Sequence, residues 1–191
     1  MSGQVARLAE LTFRGVGALE RIGTVGHVPP RSESVPPYRL MDDVDIGPGA
    51  RVASFTSLYG CRIGAESRIG PFVEIQRGAS VGARCKIQSH AFICAGVEIR
   101  DEVFVGHGVV FVNDKHPRAA TSAGALQTGG DWELLHTVVE RGASVGSGAL
   151  VLGGVRVGAG ALVGAGAVVT KHVAAGATVM GVPARVVAAH R

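Results

Sequence analysis

The stretch IGAESR-IGPFVE-IQRGAS-VGARCK-IQSHAF-ICAGVE-IRDEVF-VGHGVV, Ile63 to Val110, repeats one pattern with a six-residue beat. Each hexad opens on an aliphatic residue: Ile63, Ile69, Ile75, Val81, Ile87, Ile93, Ile99 and Val105, with the next step landing on Phe111. Four places on in each hexad stands a small or β-branched residue: Ser67, Val73, Ala79, Cys85, Ala91, Val97, Val103 and Val109. A period of six matches neither the 3.6 of a helix nor the 2 of a half-buried strand. It matches a coil of short strands joined by tight corners, with glycine where a corner needs positive φ. Three hexads close one triangular turn, so side chains one turn apart stack at about 4.8 Å, and each turn buries its neighbours' aliphatic layer. The class is all-β.

Working outward, the beat resumes at Val139 and runs through Val145, Val151, Val157, Val163, Val169 and then Ala175. Its fourth-place residues are Ala143, Ala149, Val155, Ala161, Ala167, Val173 and Val179. Toward the N-terminus Ile46, Val52 and Leu58 keep the beat, and Ile63 comes one place early, which predicts a shortened corner at Tyr59-Gly60-Cys61. Residues 41–187 therefore form the coil domain, with 188–191 a C-terminal tail. Residues 1–40 are an N-terminal extension. VARLAELTFRGVGALERI has helical spacing with two glycines, and HVPPRSESVPPY reads as a Pro-rich linker. A helix capping the coil is one reading of this extension; a flexible or untranslated leader ahead of Met41 is the other.

Between the two runs, positions 112–138 abandon the beat, a departure too long for a casual connection in so regular a coil. Counting strands, the chain leaves one corner and re-enters in phase, so this is an inserted loop. It opens with FVNDKHPRA, Phe111 to Ala119, and contains Trp132, the single Trp of the chain. Trp132 gives the loop an anchor for packing, with a neighbouring subunit as the expected partner.

Composition narrows the field. Hydrophobic residues make up 47% and charged residues 18% of the chain, enough for a core. The 29 glycines show no Gly-X-Y period, which excludes collagen. A formal charge of +4 suits small anions, and without a basic run or interleaved aromatics it does not favour nucleic acid. No apolar run reaches the ~18 residues of a membrane span. Cys61, Cys85 and Cys94 form no CxxC and cannot all pair, as in a reduced compartment. The N-terminus lacks the order of a signal peptide, so the expected location is cytoplasmic. Cys85 falls on an inward position, Cys61 and Cys94 near corners, and none is assigned chemistry.

The repeat is similar to that of the hexapeptide-repeat superfamily over about residues 44–187, which implies a left-handed parallel β-helix. The general preference for right-handed crossovers would not have given that hand. Within the superfamily, Lys86-Ile87-Gln88, Asp101-Glu102-Val103-Phe104, Phe111, Asn113 and Pro117-Arg118 resemble the N-acyltransferases of nucleotide-linked amino sugars. The ending GVPAR, Gly181 to Arg185, is shared with many hexapeptide acyltransferases. The resemblance implies acetyl-CoA as acyl donor, and an acceptor that is a dTDP- or UDP-linked amino sugar. It also implies a homotrimer with active sites in the clefts between subunits.

The resemblance places Asn113 beside the sugar amine, where an amide has no useful basicity but can accept a hydrogen bond and orient the lone pair. His116 and His107 stand as alternative general bases, since imidazole ordinarily titrates near ~6.5. In some members of the family no protein base is evident, and the proton leaves to solvent or to the departing sulfur. His107 stacks over Ser89, and one hexad separates it from Asn113, so the two lie on successive corners and meet only across a subunit cleft. Gln88 and His90 are placed on the sugar or its phosphates, Lys115 and Arg118 on the pyrophosphate. Gly146, Gly164, Ala165, Lys171 and Arg185 are placed on CoA.

Other readings stand beside this one. The same fold could acylate a free sugar, an amino acid or an antibiotic. Hexapeptide γ-carbonic anhydrases bind zinc through three histidines, for which His90, His107 and His116 are available. In that family a Gly-His is followed five places on by another His, where this chain has Val112, so no metal is expected. A non-catalytic trimerisation module would have no use for a long polar loop.

Overall fold

Strands of only two to five residues wind through the chain, each passing to the next of three sheets. The computed structural model describes residues 38–189, so the helical reading of the N-terminal extension and its linker up to residue 37 lie outside the described residues. The first sheet has seven strands, from Arg39–Asp42 to Val168–Val169. The second has six, from Asp45–Ile46 to Arg156–Val157, and the third has eight, from Arg51–Val52 to Arg185–Ala189. Among the described residues there is no helix.

The two-residue strands follow from the hexad. In Lys86–Ile87 and Arg68–Ile69 the cation is exposed and the isoleucine buried, so each strand presents one side chain to each face of its sheet. Every inward residue from Ile63 to Phe111 and from Val139 to Val169 is buried, and Phe111 is the largest fully buried side chain. Burying each such side chain contributes on the order of 1.5–3 kcal/mol. The fourth-place residues fill the corners of the prism. Ser67 is the polar member within the two regular runs, satisfied by donating to the Gly82 carbonyl (2.7 Å) and accepting from the Cys85 amide (2.9 Å).

Register confirms the coil count. Ile69 pairs with Ile87 and Lys86 with Phe104, each a full three hexads on, whereas Asp45 pairs with Arg62, one place short of that interval. The missing residue is at the predicted shortened corner, where Gly60 takes φ 55°. Ile99 pairs with Val81 of the preceding coil on one side and with Val139, beyond the insertion, on the other. The insertion thus lengthens one coil without disturbing the stack.

One expectation is corrected. Ala175 is exposed and does not continue the inward beat. Val157 bridges Val173 and Val163 pairs with Val179, where the regular interval would have reached Ala175 and Gly181. The last coil is therefore two places short, and Val173 and Val179 take the inward positions.

Cys61 and Cys94, near corners as expected, are corner fillers as buried as Cys85. Cys61 occupies the place two before Ile63, and the Cys94 thiol donates to the Phe111 carbonyl (3.3 Å). Burial pushes the Cys94 thiol up to about 11, far from the thiolate that a nucleophile needs.

The coil ends in a reversal. The strand Arg185–Ala189 turns back to pair antiparallel with Ala177–Met180.

Candidate functional site

Three corners run the length of the prism, and they differ in kind. Where the second sheet passes to the third, charges neutralise one another. Arg84 and Arg141 both donate to Glu102, at 2.7 and 2.9 Å. The Arg141 guanidinium, and then that of Arg84, hold the Glu102 carboxyl down at about 2.

Where the third sheet passes to the first, the corner carries Gln88, His90 and His107, and beyond them Gly146, Gly164 and Ala165. The His107 Nδ1 lies 2.8 Å from the Ser89 hydroxyl, and its backbone N–H donates to the Ser147 hydroxyl (3.2 Å). Nε2 has no protein partner among the described residues. The His90 ring stacks on Phe72 with centroids 4.8 Å apart. Further along, a Cβ added to Gly146 would sit 2.5 Å from the Ala165 amide nitrogen, so only glycine lets the coils approach there.

Where the first sheet passes to the second, the inserted loop emerges. Its neck is closed by the Leu135 amide donating to the Asn113 carbonyl (3.1 Å), and farther out Ala120 bridges Leu126. The Asn113 Nδ2 donates to the Ala95 carbonyl one coil below (3.0 Å), which fixes the orientation of the amide and leaves Oδ1 without a partner among the described residues. The His116 amide donates to Asp114 Oδ1 (2.7 Å), and the loop folds around a cavity of about 400 Å³. Asp114, Lys115, His116, Asp131, Trp132 and Glu133 line it. Asp131 accepts from the amide and hydroxyl of Thr128, which lowers its pKa and pins the far side of the loop.

The structure therefore gathers the sequence-derived residues into two groups at opposite ends of the strand Val110–Phe111. His107, Gln88 and His90 are at one end; Asn113, Lys115, His116 and Arg118 follow the other. The residues placed on CoA divide in the same way. Gly146, Gly164 and Ala165 share the His107 corner, while Lys171 and Arg185 come together around a cavity of about 230 Å³ past the end of Val168–Val169. His90, His107 and His116 do not converge within one chain, and among the described residues no three potential metal ligands do.

Sequence reasoning missed Ser147, the lining of the loop cavity, and the file of rings that leads to His90. Ser147 was findable, lying one coil plus the insertion beyond His107. The cavity was not, because the loop has no period.

The comparisons fit this architecture. A family model described as Bacterial transferase hexapeptide (six repeats) matches residues 60–95 and 136–171, the blocks on either side of the insertion. A variant of AntD, an N-acyltransferase from Bacillus cereus in complex with dTDP and coenzyme A, superposes with a TM-score of 0.67 at 17% identity, over 77% of this chain and 84% of that one. PerB from Caulobacter crescentus, in complex with CoA and GDP-perosamine, gives 0.58 at 20% identity, over 73% and 57%. The bifunctional protein GlmU of Jannaschia sp. is 29% identical over 158 residues, 79% of this chain and 34% of GlmU. The chain thus spans about a third of that relative's length. No helix among the described residues is long and apolar enough to cross a membrane. In its repeat and in its fold, a left-handed parallel β-helix, the chain is similar to the bacterial hexapeptide transferases over those two blocks.

Proposed function

We propose that this protein is an acetyl-CoA-dependent N-acetyltransferase acting on the amino group of a dTDP- or UDP-linked amino sugar. The reaction takes place in a cleft between two subunits of a homotrimer. The observation that carries this reading is the division of the polar residues between two corners, each incomplete alone. One subunit supplies an oriented imidazole at His107, and its neighbour supplies Asn113 and the loop cavity. The fold shared with AntD and PerB, whose structures hold CoA with a nucleotide or nucleotide sugar, supports the choice of substrates.

The chemistry follows from the residues. The loop cavity, lined by Trp132 and by the carboxylates of Asp114, Asp131 and Glu133, admits a pyranose ring and its neutral amino group. Lys115 and Arg118 meet the pyrophosphate, and Gln88 reaches the sugar from the other wall. Asn113 Oδ1 accepts from the amine and aims its lone pair at the thioester carbonyl. In the tautomer that donates Nδ1–H to Ser89, His107 presents the Nε2 lone pair and takes the proton that the amine sheds as the C–N bond forms. The tetrahedral oxyanion then collapses, the C–S bond breaks, and the proton passes to the departing thiolate. Amine and acetyl-CoA give amide and CoA-SH. His116, which lines the loop cavity, is the alternative base. For CoA, the bare corner at Gly146, Gly164 and Ala165 admits the pantetheine arm, and Lys171 with Arg185 meets its phosphates.

The test is thiol release from acetyl-CoA in the presence of dTDP- and UDP-linked 3- and 4-amino sugars, with free amino sugars alongside. Release with a nucleotide-linked amine supports the proposal, and release with none of the amines overturns it. Release with free amino sugars alone moves the acceptor to the broader class.

A further inference from the structure

One backbone position repeats at the His107 corner in six successive coils: Phe55, Phe72, His90, Gly108, Gly148 and Gly166. Their φ values are 60°, 57°, 62°, 63°, 68° and 66°. Backbone hydrogen bonds tie the positions into one file; the Phe72 amide donates to Phe55, Gly108 to Ser89, Gly148 to His107 and Gly166 to Ser147. The first three carry rings, and Tyr38 precedes them. Ring centroids are 5.8, 5.3 and 4.8 Å apart and interplanar angles 11°, 8° and 25°, so Tyr38, Phe55, Phe72 and His90 form a single stack.

Two features of this file bear on what it does. The corner imposes left-handed φ here as it does at Glu66, Arg84 and Glu102, and Phe55 and Phe72 accept it while remaining 55% and 52% exposed, so large aromatic rings are held at the surface and not in the core. The rings then stop at His90, although nothing obliges them to. A Cβ built on Gly108, Gly148 or Gly166 meets no atom within 4 Å, and the backbone there has the conformation that Phe72 tolerates. Beyond His90 the corner is a bare shelf at Gly108, one coil step from the last ring and beside the imidazole of His107.

We infer that this shelf receives the heteroaromatic base of a nucleotide, which stacks on His90 as the fifth ring of the file. The near-parallel rings select a flat partner, and the stack ends with space for one more. The adjoining side chain of Gln88 supplies donors and an acceptor for the edge of a base. The nature of the nucleotide rests on the proposed transfer reaction, which offers two sources, the base of the acceptor and the adenine of CoA; an acceptor base seated beside His107 leaves the amine's proton to His116, the alternative base of that reaction. The stacking itself does not depend on that reaction.

Calorimetric titration of the full chain with UDP, dTDP and CoA, and with pyrophosphate as the base-free probe, tests the inference in wild type and three variants. Phe72→Gly and His90→Gly shorten the file with the residue that left-handed φ prefers, so the coil is retained. Gly108→Phe fills the shelf in a conformation already used at Phe72. We expect His90→Gly and Gly108→Phe to weaken at least one nucleotide about tenfold or more, Phe72→Gly to weaken it less, and pyrophosphate binding to stay unchanged. Loss confined to UDP or dTDP assigns the shelf to the acceptor, and loss confined to CoA assigns it to the donor. The inference is overturned if no nucleotide binds wild type or if the variants bind all nucleotides as wild type does. A change in sedimentation without a change in nucleotide affinity also overturns it, since the file would then be a contact between copies. Thiol release that fails while UDP binding responds to Gly108→Phe sinks the transfer reaction and keeps the shelf. Release that proceeds with a nucleotide-linked amino sugar while nucleotide binding ignores all three variants does the reverse.

Discussion

Two corners of this prism are built on the same backbone and come to opposite ends. Glu66, Arg84 and Glu102 sit at φ 59°, 55° and 61° in three consecutive coils; Phe55, Phe72 and His90 sit at 60°, 57° and 62° in the same coils. In the first file Arg84 meets Glu102, and Glu102 is held by arginines of the coils on either side. In the second the stack runs out at His90, beside an imidazole with one nitrogen unclaimed. The repeat alone therefore does not separate structural corners from reactive ones. The distinction lies in whether the side chains of a file satisfy one another.

The largest disturbance is to what both corners share. Ile87 is fully buried beneath them, and Ile87→Asp would leave an unpaired charge among aliphatic side chains. We expect a loss of about 3–5 kcal/mol or outright failure to fold, read by thermal denaturation followed by circular dichroism. Next comes the difference between the corners. His107→Ala should lower turnover about 10²–10⁴-fold. Arg84→Ala, on the self-neutralised corner, should leave turnover unchanged; equal losses in both would erase the distinction. Asn113→Ala should lower turnover about tenfold by removing one oriented hydrogen bond. It also deletes the bond to Ala95, so hydrogen exchange at Leu135 should quicken in parallel.

The smallest effect concerns acid. The arginines hold the Glu102 carboxyl at about 2, below its ordinary 4.5, so its stabilising contribution is complete above the ordinary value and fades as pH falls toward 2. The melting temperature of wild type should exceed that of Glu102→Gln by a small constant margin near neutrality, a margin that closes below about pH 4.5. A margin that stayed open at pH 2 would mean that the ion pairs are not its source.

The coil was legible because its signal is redundant. Ile63 to Phe111 states the period in nine aliphatic or aromatic steps, and a shift of one place, as at Tyr59-Gly60-Cys61, shows against that background. Ala175 misled for the same reason: it stands where the beat puts it, but the last coil is two places short and nothing follows to reveal the slip. Of the site, the positions of Asn113 and His107 on two different corners were legible, because corners can be counted. The ring file was harder to find. The step from Phe55 to Phe72 is one place shorter than the step from Phe72 to His90, so a search at one fixed spacing breaks the file in two. Trp132 was noticed as an anchor, but its place in a cavity with Asp114 and His116 depends on how an aperiodic loop folds, and local pattern does not encode that.

A parallel coil has no intrinsic reason to stop. Each turn presents the next with a full row of amide and carbonyl groups, the same template on which amyloid fibres lengthen. Here the last described strand folds over part of that template. Arg185–Ala189 lies antiparallel beside Ala177–Met180, and the amide of Ala184 and the carbonyl of Gly181 both bond to Val168 on the adjoining sheet. The GVPAR segment, which by sequence marked only an enzyme class, thereby occupies edge groups of the first sheet that would otherwise face outward, next to the strand that covers the edge of the third.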